Sequence, residues 1–309
     1  MVLEPWLESR VSSKKLWFEP ERIYAKIKIM IEIVFLISIL ALILLLNAGF
    51  SAVNLSILVN PSRGKPSKEG EDNRINFKEA FRLICVARAL NKFFFTGSGY
   101  IAGSYFSRRE KLPFYKTLSA FAVLEFLPVF IWLSLGIYFG AEFAIKIPLI
   151  LIIIIIALGI TIWFKRDKIV PSVKNILQHL KEMSGKILFI MPFIFLNMVL
   201  GLVYYFFLFK LFHFYPSILN IIKIVSVSAT ISYLSPAPTG LGFREAGVVL
   251  LLVDLSMPLG DALSLAILDR VIITAFWGIA GSILGFDLIK EEINKRFRKK
   301  KAPRAGDYE

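Results

Sequence analysis

Between residues 147 and 164 the chain runs through Ile150, Leu151 and five successive isoleucines at 152–156, with almost nothing polar. At about 1.5 Å per helical residue such a run reaches across the roughly 30 Å of a bilayer's hydrocarbon. Segments 30–46, 114–139, 187–209 and 262–284 read the same way. Hydrophobic residues make up 56% of the 309, and the mean hydropathy is +0.67, too apolar for a soluble domain of this size. The expectation is an all-α, polytopic integral membrane protein. The first apolar run begins some thirty residues in, behind mixed charge, so none of these segments reads as a cleaved signal.

One apolar stretch is interrupted. Pro236, Pro238, Gly240 and Gly242 break the C-terminal third, and Arg244 and Glu245 follow directly. Backbone groups left unsatisfied in hydrocarbon cost several kcal/mol each, so a break there needs protein or a water-filled cavity around it. Charges at such depth mark pathways and polar sites. A second break is expected at Thr96-Gly97-Ser98-Gly99, after a polar helix over residues 76–95.

The formal charge of +14 does not point to nucleic acid, because the basic residues sit in connecting segments and at the ends. Lys290, Lys295, Arg296, Arg298 and Lys299–301 follow the last apolar run. A juxtamembrane cluster of that kind sets the C-terminus on the cytoplasmic side and is drawn to anionic lipid. The plasma membrane is the expected location. Segment 165–186, with Lys165, Arg166, Lys168, Lys174 and Lys181, reads as a cytoplasmic loop. Residues 1–28 read as an interfacial leader, 29–286 as the transmembrane domain and 287–309 as a basic tail. Cys85 is alone, and His179 and His213 lie in different connecting segments, so neither a disulfide nor a His/Cys metal site is expected. No cofactor and no catalytic residue is expected, and an enzyme is the weakest reading.

The two ends of the membrane domain resemble one another. Thr96-Gly97-Ser98-Gly99-Tyr100 aligns with Thr239-Gly240-Leu241-Gly242-Phe243, Leu124-Glu125 with Leu268-Asp269, and Trp132 with Trp277. The offset stays between 143 and 145, which suggests repeats over about 77–140 and 217–286. Span 114–139 leaves a basic loop at Arg108 and Arg109, whereas span 262–284 ends at the basic tail, so the copies are expected to be inverted. Inverted repeats with discontinuous helices place a substrate near the bilayer midplane between them.

Gly97-Ser98-Gly99 with Ala102 formally fits a dinucleotide fingerprint, but no strand precedes it. Glycines beside a half-helix start in a membrane instead offer open amides and a positive dipole end to an anion. Gly97, Gly99, Gly240 and Gly242 are therefore candidates to admit a headgroup phosphate, with Pro236 and Pro238 shaping the second break. Arg244 and Arg270 would neutralise that phosphate. Glu125, Glu245 and Asp269 would orient the arginines or bind a coupling proton, and Glu245 with Arg270 equally suits a buried structural pair. Arg88, Asn91 and Lys92 would contribute from the first copy.

Ser235, Pro236, Pro238, Gly240, Gly242, Glu245, Arg270, Trp277 and Gly281, taken in order, resemble the flippase-like domain family that includes the transmembrane region of lysylphosphatidylglycerol synthase. Asn91, Gly99 and Glu125 resemble that family's first-half residues. Phe95 and Tyr100 stand where its proline and acidic residue are expected. The resemblance implies movement of an anionic lipid, polyprenyl-phosphate-linked or aminoacylated or glycosylated, between leaflets. The alternative it implies is a non-transporting membrane partner of a glycosyltransferase or other lipid-modifying enzyme. Self-association stays open.

Overall fold

The computed structural model describes residues 20–60, 74–94, 97–110, 112–139, 166–235 and 240–301. Span 147–164, Pro236, Pro238, most of loop 60–76, residues 1–19 of the leader and the end of the tail lie outside the described residues. The chain divides into two compact units, 1–39 and 40–309. The described part of the first is the N-terminal half of one helix, whose large side chains Ile29, Met30, Ile31, Val34 and Phe35 are exposed. Such a surface suits lipid, not water.

The described residues are helical, with no strand among them. In chain order the helices are α1 (Pro20–Val59), α2 (Phe77–Phe93), α3 (Ser98–Phe106), α4 (Phe114–Phe139), α5 (Arg166–Lys210), α6 (Ile218–Leu234), α7 (Phe243–Asp254) and α8 (Leu259–Lys301); a 3₁₀ turn, Ser107–Glu110, follows α3. Four are long and apolar enough to cross a membrane, over Ile27–Val59, Phe114–Phe139, Val173–Lys210 and Leu259–Phe286. Segment 165–186, expected as a loop, is helical from Arg166 onward. Its charges mark a helix that outruns the bilayer: 45 residues span about 68 Å against roughly 30 Å of hydrocarbon.

Local sequence explains where the short helices start. Asn76 caps α2 by accepting from the Glu79 N–H at 2.9 Å, while the Glu79 carboxylate accepts from the Asn76 N–H at 2.9 Å. This reciprocal box occupies two of the amides a helix start leaves open. At the start of α6 the Ser217 hydroxyl accepts from the Asn220 N–H. Pro128 removes one backbone donor from the interior of α4, beside the cavity described below.

Each break is a hairpin, not a continued crossing. Gly99 in α3 lies against Ala87 in α2 so closely that a Cβ there would sit 1.9 Å from the Ala87 carbonyl oxygen. In the second copy Gly240 abuts Ser232 and Gly247 abuts Ile231. Both copies are thus re-entrant helical hairpins followed by a long span.

Packing between the copies is reciprocal. Helix α2 packs on α8, and α6 packs on α4. The crossing points are Gly281, where a Cβ would meet the Ala89 Cβ at 2.2 Å, and Gly136, where it would meet the Thr230 hydroxyl at 2.0 Å. These two glycines are separated by 145 positions, the same offset as the two tryptophans. The pairs also give direction. Gly99 and Gly103 face Ala87 while Tyr100 meets Glu125 and Ser107 meets Thr117, so α3 runs against both α2 and α4. Gly278, Gly281 and Gly285 meet Phe93, Ala89 and Val86, so α8 runs against α2. Helices α4 and α8 therefore run oppositely, and the repeats are inverted. The apolar core of this unit joins Leu55 and Leu58 of α1, Ile84 and Ala87 of α2, Phe121 of α4 and Ile190 of α5.

Candidate functional site

The two hairpin turns bring the site's helix starts together, and each turn closes on its own side chains. Gly97 adopts φ +94°, and the buried Asn91 carboxamide oxygen accepts from the N–H groups of Gly97 at 3.1 Å and Gly99 at 2.7 Å. In the second copy Gly242 adopts φ +81°, and its N–H donates to the Glu245 carboxylate at 2.7 Å. This corrects the expectation that these glycines open their amides to a phosphate. The amides of Gly97, Gly99 and Gly242 are already taken by the chain. The glycines serve left-handed backbone and close hairpin packing, and Gly240 (φ +71°) does the same against Ser232.

Immediately past each turn the two copies place a side chain onto the following span at the same register. Tyr100 donates its hydroxyl proton to the Glu125 carboxylate. Arg244, 144 residues later, donates to Asp269 at 2.6 Å and to the Tyr205 hydroxyl of α5. The first copy thus carries a neutral donor on an acid where the second carries an ion pair. Asp269 is 3% exposed and would be costly to leave charged without Arg244. Arg270 faces Glu245 across 3.3 Å, tying the start of α7 to α8. That is the structural pairing anticipated from the sequence.

Arg88 of α2 has different partners. It donates to Asn47 and, at 2.7 Å, to Ser51 of α1, and its guanidinium lies 4.8 Å from the centre of the Trp277 ring. None of these is anionic. Among the described residues neither Arg88 nor Lys92 has a carboxylate within ion-pair distance.

A chamber of about 350 Å³ opens between the hairpins, lined by Arg88, Asn91, Lys92, Tyr100, Glu125, Tyr233, Arg244 and Trp277. Glu125 is the one carboxylate on its described walls. A second chamber of about 240 Å³ shares Arg88, Tyr100 and Glu125 with the first and continues between α1, α4 and α5. On the far side of Lys92 an open groove of about 840 Å³ runs along α8 past Phe93, Leu241, Val271, Ile279 and Arg270. Phe93, Leu241, Val271 and Ile279 are all more than half exposed.

Of the residues singled out from the sequence, Asn91, Glu125 and Arg244 line the main chamber, and Asp269 stands behind Arg244. Arg270 faces the outer groove, and Glu245 holds it there. Asn47, Ser51, Asn54 and Asn197 went unread. The first three recur at helical spacing on one face of the uncharged C-terminal half of α1, which was the available signal. Ending the first span at Leu46 hid it, because polar residues just past an apolar run look like its exit from the membrane.

The family model for the lysylphosphatidylglycerol synthase TM region matches residues 13–281. No curated protein and no solved structure matches the chain.

Proposed function

Because the chain belongs to the lysylphosphatidylglycerol synthase transmembrane-region family, we propose that it binds the anionic headgroup of a lipid between its two hairpins and carries it from one leaflet to the other. The observation that carries this reading is the wall of the main chamber, where Arg88 and Lys92 have no carboxylate partner among the described residues and stand beside a paired Arg244. A phosphate supplies the missing anion, and charge-assisted bonds to it are roughly twice as strong as neutral ones. The groove along α8 supplies the rest of the lipid's path. Its apolar walls face outward and meet the chamber at Lys92, so the hydrocarbon chain stays in lipid while the headgroup enters protein.

The lipid leaves chemically unchanged in this reading, so the protein is a transporter and not an enzyme. The basic residues of 290–301 support a reading in which the end of α8 lies on the cytoplasmic side, with the plasma membrane as the proposed location. In a non-transporting partner of a lipid-modifying enzyme, buried charges would be consumed by one another. Arg244 with Asp269 and Arg270 with Glu245 follow that pattern, whereas Arg88 and Lys92 do not.

Leaflet exchange in proteoliposomes tests the proposal, with labelled phosphatidylglycerol, polyprenyl phosphate and phosphatidylcholine as cargo. Wild type accelerates an anionic lipid over the zwitterionic one. Lys92→Gln and Arg88→Gln, each losing one charge-assisted contact, slow it by about tenfold or more. Exchange by folded wild type no faster than in empty vesicles refutes transport and leaves the enzyme-partner role.

A further inference from the structure

The smaller chamber differs from the larger one in chemistry. Beyond the Arg88, Tyr100 and Glu125 it shares with the larger chamber, its polar wall is uncharged, made of Asn47, Ser51 and Asn54 of α1 and Asn197 of α5, with Trp132 from α4. Asn54 is fully buried, and among the described residues neither its amide nitrogen nor its amide oxygen has a hydrogen-bond partner. The Asn197 amide oxygen is likewise buried without one among the described residues. A buried carboxamide lacking both bonds is destabilising, and a leucine of similar size would sit there at lower free energy. A side chain like this gains its bonds when a ligand brings them.

Its chemistry says which ligand. A carboxamide offers donors and an acceptor together, so it complements hydroxyl groups, which do the same. It cannot neutralise an ammonium. The charges on the chamber's wall are Arg88, which repels a cation, and Glu125, whose Oε1 already accepts from Tyr100. Arg88 belongs to both chambers, so a phosphate held by Arg88 and Lys92 in the larger one directs whatever it carries into the smaller. At about 30 Å³ per liquid water, 240 Å³ is the equivalent of about eight waters, the scale of one sugar ring.

Resting on the lipid-binding reading above, we infer that the small chamber selects a neutral, hydroxyl-rich group, a sugar or polyol, esterified to the lipid phosphate, and that Asn54 is its principal reader. An aminoacylated, cationic headgroup is disfavoured there. Two lipid classes carry this chemistry, polyprenyl hexosyl phosphates and diacyl lipids with a polyol headgroup such as phosphatidylinositol.

The test is lipid titration of the full chain in detergent, read by native mass spectrometry. Polyprenyl hexosyl phosphate is compared with polyprenyl phosphate, phosphatidylinositol with phosphatidic acid, and lysyl-phosphatidylglycerol is run beside them. Wild type binds the sugar or polyol member of one pair about tenfold more tightly than its bare phosphate counterpart, the value expected for two added hydrogen bonds. The pair that shows this ratio identifies the lipid class, and lysyl-phosphatidylglycerol binds more weakly. Asn54→Leu and Asn54→Ala bring the ratio close to one and leave the affinity for bare phosphate lipid unchanged. Alanine adds no bulk to the chamber, so its agreement with leucine rules out simple blockage, and both variants melt no lower than wild type because a partnerless amide has gone. A wild-type ratio retained in both variants, or a wild-type preference for lysyl-phosphatidylglycerol, overturns the inference while the lipid-binding reading stands. Failure of wild type to bind any of the five lipids overturns that reading as well.

Discussion

The ion pair between Arg244 and Asp269 is the most stringent internal test of the site's electrostatics. Both side chains are nearly buried, 13% and 4% exposed, and the contact is 2.6 Å. Removing one member strands the other charge away from water. Breaking a buried pair in this way costs about 3–5 kcal/mol, whereas replacing both members with apolar groups is close to neutral. At roughly 2 °C per kcal/mol for a chain of this size, Asp269→Leu or Arg244→Met lowers the melting temperature by about 6–10 °C. The double variant recovers most of that loss, giving a coupling of several kcal/mol in the cycle. Thermal unfolding in detergent, followed by intrinsic tryptophan fluorescence, supplies all four values. Additive losses, with the double variant as unstable as the two singles combined, would refute the pairing and with it the argument that Arg244 is neutralised inside the protein.

The reciprocal crossings make a paired prediction: Gly136→Ala and Gly281→Ala each place a methyl within 2.2 Å of a neighbour and destabilise by about 1–3 kcal/mol. Gly185→Ala, with nothing within 4 Å, is the control and stabilises by up to about 1 kcal/mol in the same melts. Asn91→Leu frees two amides at the first hairpin turn and costs about 1–3 kcal/mol, with faster hydrogen exchange at Gly97 and Gly99 as its local signature. Tyr100→Phe removes the donor to Glu125 and costs about 1 kcal/mol, well below the loss at Arg244, because Glu125 is half-buried on a chamber wall whereas Asp269 is closed off from water.

The sequence carried the membrane class, both breaks and the repeat, since each rests on a local property: apolar length, Pro and Gly, or a constant offset. Direction was legible too, because the basic Arg108 precedes span 114–139 whereas the basic residues from Lys290 onward follow the equivalent span 262–284. What stayed hidden depends on three-dimensional neighbours. The four glycines at the breaks look alike in sequence, yet whether an amide is open turns on Asn91, six and eight residues away, and on Glu245. The crossing role of Gly136 needs Thr230, 94 positions later, to be seen. Charge alone also misled at 166–186, where a helix extending past the bilayer has the composition of a loop. The uncharged part of the small chamber's wall was concealed for the reverse reason, because Asn54 is polar without being charged and sits in the half of α1 that carries no charged residue.

The proposed transport requires a lipid headgroup to occupy the chamber between the two inverted hairpins. Photo-crosslinking tests this directly, using phosphatidylglycerol and polyprenyl phosphate with the photoreactive group beside the phosphate, followed by peptide mapping. The account predicts label on the peptides holding Arg88, Lys92 and Tyr100 and on that holding Arg244, competed away by unlabelled anionic lipid and reduced in Lys92→Gln. Label confined to the exposed outer faces, such as that of Phe126 and Phe130 on α4, and indifferent to competitor would contradict it.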